Sequence, residues 1–509
     1  MLSNHTPLLT AHLFISGMKS WDGWEDMLIR LGESGITLKI YKANDSLVKI
    51  KPKNPRVYLS LGTELEEFHT LNSLPYHERK RWLHYNSPEE IQPDKLFFCW
   101  LSSTDPLPDN KAIPLTRFSS DTPLISVFTA SFKSNKKIQR PYNSLLNQTY
   151  SNWEWVIVDD SGDKDVTYGK YLLPLKDPRV RRYRQDSRNG YIGATKRYAA
   201  GLCTGEILVE LDHDDELTPD CLEKIVQAFR QHPECGFAYG ENVEVYAENN
   251  YAQWYGWDCG FGYSVYYRVW IHAMNRWQNV LKQTTINGVT IRHLVGLPNH
   301  PRAWTRECYH LIGGHREELL VSDDYDILMR TFLSTKFVLI PHLLYIQYRN
   351  EDGDNSTFHR NQQIQILVNE LESYYHQKIQ ERLIELDLPE SVEDSRVWET
   401  TTDHPARKSA HVNCEDFSKK SILFPIPYSS SKEEHTELLK TLQKGIETGF
   451  QEFEVVVVGN VPAEVETFAS KSRVGAIRWW PMESDDSLER CIEYANLCSS
   501  CSDKIVVLP

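Results

Sequence analysis

Three carboxylates stand within four positions at Asp212-His213-Asp214-Asp215, directly after the apolar run Leu208-Val209-Glu210-Leu211. Desolvated like charges raise one another's pKa unless a cation lies between them. A cation bound through oxygen points to Mg2+ or Mn2+, which keep positions open for phosphate oxygens. The cluster therefore suggests an enzyme that handles a nucleotide diphosphate. The plain alternative is an acidic helix cap, because Glu216-Leu217-Thr218-Pro219 reads as the start of a helix. A second acid pair, Asp159-Asp160, ends the apolar run that begins at Trp153.

The elements that must position these acids alternate. Strands are expected at Pro123–Ala130, Trp153–Asp159, Val180–Tyr183 and Glu206–Leu211, with helices over Lys137–Asn147 and Gly193–Leu202. Such alternation means a parallel sheet covered by helices, an α/β fold, and ligands bind beyond the carboxyl ends of its strands. Both acid clusters fall at such ends, so they are expected to face one cleft. Before this unit, residues 1–118 read as a small α/β domain. It has strands at Ile36–Tyr41 and Val57–Leu61, a helix over Leu74–Tyr85 and a strand at Leu96–Trp100. After the central unit, 119–358, a helix over 359–388 carries an apolar stripe (Ile364, Leu367, Leu371, Tyr374, Ile379, Leu383, Leu386). Packing on the body is the preferred reading of the stripe, and a homodimer seam is the alternative.

Residues 389–418 are polar and read as a linker, and 419–509 reads as an internal repeat. Ser421–Pro427, a helix over Lys432–Thr448 and Phe453–Asn460 echo the run from Leu124 to Asp160. Ile492–Cys498 and Lys504–Pro509 echo Arg197 to Leu211. The second copy has Gly459-Asn460 in place of Asp159-Asp160, so it is expected to be non-catalytic.

Composition narrows the function. The chain has 509 residues and a net charge of −14, which argues against a general nucleic-acid or anionic-membrane binder. No apolar run is long enough to span a bilayer, and the first residues lack a secretory signal pattern. Ten dispersed cysteines fit a reduced, cytoplasmic protein, at most peripheral to a membrane. Tyr251–Trp270 holds eight tryptophan, tyrosine or phenylalanine residues after Tyr251, among them Trp254 and Trp257. They suit the C–H faces of an acceptor sugar and equally a hydrophobic lid. His300, in the loop Asn299-His300-Pro301-Arg302, is a candidate on the metal or acceptor side, with a structural histidine preferred.

Several ordered motifs resemble the family 2 glycosyltransferases of GT-A fold. They are Leu124–Thr129, Ser144–Tyr150, Trp153–Gly162, Asn189-Gly190, Thr204–Asp215, Leu217–Pro219, Leu311–Gly314 and Ser322–Arg330. Together they run from about Pro123 to Thr357. The resemblance implies a GT-A type mostly parallel sheet and inverting, metal-dependent sugar transfer. The donor would be a nucleotide-diphosphate sugar, UDP- ahead of GDP- or dTDP-, and the acceptor a glycan hydroxyl. It implies that Thr129 and Ser131 border the base and that Asp159 and Asp160 contact base or ribose. Asp214 would ligate Mn2+ or Mg2+, and Asp212 would contact ribose or metal. Asp324 would be the general base, and Asp323 stands where the family usually has Glu. Lys196 stands where the family often has Arg, and would meet a phosphate as a point charge. Two other readings remain: a nucleotidyltransferase, and a non-catalytic carbohydrate-binding or scaffold protein on the same fold. The first is disfavoured because the loop Ala130–Asn135 has no glycine.

Overall fold

The computed structural model describes residues 6–16, 23–46, 54–62, 64–107, 113–162, 164–253, 263, 265–283, 285–350, 356–390, 397, 404–427, 453–459, 476–480 and 487–508, with scattered positions between 431 and 444. Four parallel strands form the N-terminal sheet: β1 (Leu9–Ile15), β2 (Ile36–Lys42), β3 (Arg56–Leu61) and β4 (Trp82–Tyr85), in the order β2-β1-β3-β4. Two expectations fail here. Leu74–Tyr85 is not one helix: a single turn, Tyr76–Arg79, gives way to β4, because Trp82 and Leu83 pair with Tyr58 and Leu59. Leu96–Trp100 is not a strand but part of the Pro93–Ser103 helix, with Leu96, Phe97, Trp100 and Leu101 on its buried face. A five-residue apolar run does not distinguish the two by periodicity. Here Pro93 in the first turn opens a helix whose apolar pairs recur one turn apart.

The central unit is built as expected on parallel strands β5 (Ile125–Ser131), β6 (Trp153–Asp159), β7 (Val180–Arg184) and β8 (Ile207–Glu210), ordered β7-β6-β5-β8. Every residue of β6 and β8 is buried, as strands covered on both faces require. The sheet then becomes mixed. It takes in β9 (Glu216–Leu217), β10 (Cys235–Tyr246), β11 (Val265–Ile271), β12 (Arg276–Lys282), β13 (Arg302–Thr305) and β14 (Lys336–Arg349). β13 runs antiparallel to both β8 and β10. Glu216-Leu217 does not start a helix. It pairs with β14, and the next helix begins at Cys221, so Asp212–Asp215 is no helix cap.

The repeat is visible in the topology. After β15 (His411–Asn413) come β16 (Asp416–Ile426), β17 (Phe453–Gly459), β18 (Ala476–Trp480) and β19 (Cys501–Val506). Their order, β18-β17-β16-β19, with all three pairings parallel, reproduces β7-β6-β5-β8. One buried brace is also duplicated. Ser126 Oγ donates to Glu154 at 2.6 Å, Arg181 pairs with Glu154 at 2.8 Å, and the Thr204 N–H donates to it at 2.6 Å. In the second copy Ser421 Oγ donates to Glu454 at 2.7 Å, Arg478 pairs with it at 2.5 Å, and the Ser500 N–H donates at 2.9 Å. A carboxylate buried this deeply persists only with its charge and lone pairs satisfied, and both copies do so with the same groups. Where the first copy has Asp159, Gly459 has a φ of 110°, and a Cβ there would overlap the Ile426 carbonyl. The Lys432–Thr448 helix and Asn460 lie wholly or largely outside the described residues.

Part of the expected linker is docked: β15 pairs with β14, and Asp416 already lies in β16. A strand of three polar-flanked residues leaves no periodic signal. The long helix spans Ser356–Glu385, and Leu367, Leu371, Tyr375, Ile379 and Leu383 lie in one core with Tyr325, Leu328 and Phe332. Leu367, Leu371, Ile379 and Leu383 of the stripe thus pack on the body, as the preferred reading expected, with Ile364, Tyr374 and Leu386 partly buried against the same core. Among the described residues no helix is long and apolar enough to cross a membrane.

Candidate active site

Asp212–Asp215 lies between β8 and β9, and β14 holds it. The Asp212 N–H donates to the Tyr345 hydroxyl at 3.2 Å, which donates to Asp215 at 2.9 Å. The Tyr348 N–H donates to the other Asp215 oxygen at 2.7 Å. Burial, then the charges of Asp214 and Asp212, push the Asp215 carboxyl well up. Asp215 thus shapes the loop, and Asp212 and Asp214 remain half-buried. Asn350 donates to Asp214 at 2.6 Å. Arg140 donates to the Asp214 carbonyl at 3.1 Å and to Asn350 at 3.0 Å, its guanidinium 4.0 Å from the Tyr348 ring. Burial raises the Asp214 pKa, and Asp212 adds to the rise against the pull of His213.

Asp324 occupies the first turn of the helix Asp323–Ser334. Its side chain is 32% exposed, whereas that of Asp323 is 7% exposed, so only Asp324 can meet a ligand. The Arg302 guanidinium lies 3.5 Å from Asp324 and is itself fixed by the Pro298 carbonyl at 2.9 Å and the Gly296 carbonyl at 2.7 Å. Burial favours the neutral acid, but Arg302 and Lys196 outweigh it and hold Asp324 below the usual carboxylate range. Asp324, Glu210 and Asp212 in turn favour the charged form of Arg302 against its burial. Ser322, just before the helix, sits at φ 59°, ψ 27°. A left-handed serine costs about 1–2 kcal/mol and marks strain beside the acids.

Behind these acids is a knot of buried charge. Lys196 Nζ lies 2.5 Å from Glu210 and 3.4 Å from Asp323. His300 Nε2 is 3.6 Å from Glu210, and His315 Nε2 is 3.8 Å from Glu210 and 4.0 Å from Asp323. Burial and Asp324 raise Asp323 to about 6 against the pull of Lys196. Burial pushes His315 down to about 3. These positions depart from the expected roles. Lys196 faces inward from the helix Ile192–Gly201 to Glu210 rather than towards a phosphate. Asp323 and His300 are buried, with His300 stacked on Tyr345 at 4.8 Å. A helix face cannot be assigned inward or outward from one lysine, so this required the tertiary packing.

On the nucleotide side, the Thr129 hydroxyl is spent. It donates to the Leu211 carbonyl at 2.6 Å and accepts from Trp155 at 2.9 Å. The Ser131 hydroxyl meets that of Ser134 at 3.1 Å. Asp160 accepts the N–H groups of Asn189 and Gly190 at 2.6 and 2.9 Å, so it shapes that loop. Asp159 accepts from Ser161 at 2.6 Å and keeps a second buried oxygen without a partner among the described residues. Burial raises its pKa. Asp159 thus keeps an oxygen without a hydrogen-bond partner among the described residues, although its side chain is buried. Trp254 and Trp257 lie outside the described residues. Tyr266, Tyr267 and Trp270 are buried on β11, which favours packing over sugar contact for them. Sequence reasoning missed Arg140 and Asn350 and named Arg302 only as part of the His300 loop, because a cation or amide far away in the chain carries no local signal.

Glu210, Asp212 and His300 each present one ligand atom, and these atoms lie within 4.8 Å of one another. Oxygen and imidazole donors suit a divalent cation. The Lys196 ammonium already occupies one Glu210 oxygen, however, so the Asp212–Asp214 loop fits an ion better than Glu210 does.

Residues 126–289 match the model described as glycosyl transferase family 2. This segment belongs to that family. Among similar proteins, WcaA of Escherichia coli strain K12, named for colanic acid biosynthesis, is 32% identical over 132 residues, 25% of this chain and 47% of that protein. Chondroitin synthase of Escherichia coli is 27% identical over 208 residues, 41% of this chain and 26% of that one. The matched stretch thus spans under half the length of either relative. The crystal structure of S. aureus TarS 1–349 matches with 16% identity and a TM-score of 0.35, over 50% of this chain and 73% of that one. That superposition is too loose to carry an argument about function.

Proposed function

We propose that the central unit is an inverting glycosyltransferase. It moves a sugar from a nucleotide-diphosphate sugar, a UDP-sugar ahead of GDP- or dTDP-sugars, to a hydroxyl of a glycan acceptor. One observation carries the reading: Asp324 is the more exposed carboxylate of its pair, and the Arg302 guanidinium 3.5 Å away favours its charged form. A charged carboxylate at the rim can take the proton of an attacking hydroxyl. Attack assisted by one base inverts the anomeric centre. The loop Asp212–Asp214 would hold Mn2+ or Mg2+, which as a Lewis acid offsets the charge of the diphosphate leaving group. The spare oxygen of Asp159 would accept from the base or ribose, and Arg140 would lie beside the diphosphate. We place the reaction in the cytoplasm, at most peripheral to a membrane.

Differential thermal stability with UDP, GDP and dTDP, each with and without Mn2+, tests the donor site. A ligand at about 100 times its Kd adds about 2.7 kcal/mol. We expect the nucleotide increment to depend on metal and to vanish in Asp214→Asn. No metal-dependent increment with any of the three nucleotides would sink the proposal.

Gly296 gives a second check. Its φ is +80°, and an added Cβ would lie 3.2 Å from Asp324 Oδ2 and 3.5 Å from Arg302. Gly296→Ala is expected to cost about 1–2 kcal/mol of backbone strain. It should also push Asp324 away from Arg302, so the acid limb of the pH–rate profile moves to higher pH. An unmoved limb would show that Arg302 does not set the charge of Asp324.

A further inference from the structure

The helix Ile192–Gly201 follows the Asn189-Gly190 turn, whose N–H groups Asp160 holds at 2.6 and 2.9 Å. Its first turn closes on the chain that leads to Asp324. A Cβ on Gly193 would lie 2.4 Å from the Arg316 carbonyl oxygen and 3.2 Å from Asp323 Cβ, so glycine is what admits this approach. One turn on, Arg197 donates to the Gly313 carbonyl at 2.5 Å and to the His315 carbonyl at 3.3 Å. The helix is thus seated on residues 313–323 by its backbone and by a guanidinium.

Lys196 joins this contact to the strand that leads into the acid cluster. Its Nζ lies 2.5 Å from Glu210, the last residue of β8 and two before Asp212. The same Nζ lies 3.4 Å from Asp323, the residue before Asp324. All three side chains are buried. Burial disfavours the ammonium, but Asp323, Glu210 and Asp212 outweigh it and keep it charged. His315 stands 3.8 Å from Glu210 and 4.0 Å from Asp323, yet burial keeps it neutral, with a pKa of about 3. The lysine therefore supplies the lasting positive charge between the two carboxylates. A buried ammonium shared in this way resists separation, because moving either acid away leaves a charge unpaired.

We propose that Lys196 is a positioning residue: it ties the strand leading to Asp212 and Asp214 to the helix that presents Asp324, and it meets no phosphate itself. The inference rests on the reading of Asp324 as the base. The tie fixes the distance between the leaving group and the base. Losing it costs turnover and spares donor affinity, because the base acts in the transition state and the nucleotide is held elsewhere. This is the opposite of what a phosphate-binding cation at this position would do.

Two measurements on the full chain test this. One is UDP release from UDP-glucose, UDP-N-acetylglucosamine and UDP-glucuronate, with Mn2+ and with water as acceptor. The other is calorimetric titration with UDP in the presence of Mn2+. For the donor that the native chain turns over fastest, Lys196→Gln should lower kcat by about 10- to 100-fold and keep UDP affinity within about twofold. The acid limb of its kcat profile should move to higher pH. Burial and Glu210 raise the Asp324 pKa, Arg302 and Lys196 lower it, and the variant leaves only Arg302 of the two cations. Lys196→Arg keeps the charge and should recover the limb and most of the turnover. Asp323→Asn leaves Lys196 on Glu210 and cuts only the tie to the base helix. It should lower kcat with UDP affinity kept, and it decides the matter if Lys196→Gln does not fold. UDP binding weakened about tenfold or more in Lys196→Gln, with native turnover in Asp323→Asn, would assign the ammonium to a phosphate. Unchanged kcat in the folded variants would reduce the tie to packing. Either result overturns this proposal alone if Asp324→Asn still abolishes release. Release that survives Asp324→Asn, or no release by the native chain, overturns the reading of the base and this proposal with it.

Discussion

Asp324→Asn is expected to lower kcat by about 10²–10⁴-fold, the usual scale for losing a general base, while the protein stays folded. The amide preserves shape and removes the proton acceptor together with the counter-charge of Arg302, whose guanidinium keeps its bonds to the Pro298 and Gly296 carbonyls. The side chain is 32% exposed, so little packing depends on its charge. Acceptor affinity should change less than turnover, because the proton moves in the transition state. The pH dependence follows from the sign of the shift. Arg302 and Lys196 hold Asp324 below the ordinary range despite its burial, so the base stays charged down to below about pH 4. The rate of the native protein should therefore be flat through neutrality on the acid side and fall only at lower pH. That limb should be missing in Asp324→Asn. Near-normal turnover by a folded variant would remove Asp324 from the mechanism.

The largest stability effect is expected two residues along the same helix. Asp326 is fully buried and accepts from Arg316 at 3.2 Å, Arg330 at 3.1 Å and the Tyr375 hydroxyl at 2.9 Å. Arg316 also reaches the Leu101 carbonyl at 3.1 Å, and Arg330 the Gly314 carbonyl at 2.7 Å. One carboxylate thus ties together the helix that carries Asp324, the long helix and the N-terminal unit. Asp326→Asn leaves two guanidinium groups buried without their counter-charge, a loss of about 3–5 kcal/mol. The melting midpoint of the central unit should fall by on the order of 10 °C. Burial opposes the charged form of Asp326, but Arg316 and Arg330 outweigh it and depress its pKa. Its contribution is therefore complete above the unfolded value of about 3.9 and is lost as pH falls from there through the folded value. An unshifted midpoint in the variant would show that the arginines find other partners.

The N-terminal unit supports the same region. Arg81 pairs with Glu318 at 2.9 Å, and Trp100 donates to Glu318 at 2.7 Å, just before the helix that presents Asp324. These contacts give the N-terminal unit a structural part in positioning Asp324.

How much of this was legible follows from the range of each interaction. Strand and helix periodicity is local, so the alternation from Ile125 to Glu210 and the second copy were readable, with acids at strand ends. The reading failed where a short run is ambiguous, at Leu96–Trp100, and where sheet pairing overrode a local preference, at Trp82–Tyr85 and Glu216-Leu217. At the site, residue types and order singled out Asp159, Asp212, Asp214 and Asp324. Their division of labour was not in the order. Asp160 and Asp215 have the same side chain as their neighbours, yet backbone N–H groups and Tyr345 claim their oxygens. Lys196, Asp323 and His300 turned inward because Glu210 on β8 offers a buried counter-charge at the crossing of helix, strand and loop. The chain alone determined the α/β alternation, the family resemblance and the set of acids, because these are properties of neighbours in sequence. Only the tertiary structure decided which acids stay available and which cation keeps Asp324 charged, because desolvation and Coulomb pairing act through space between residues such as Arg302 and Asp324, 22 positions apart.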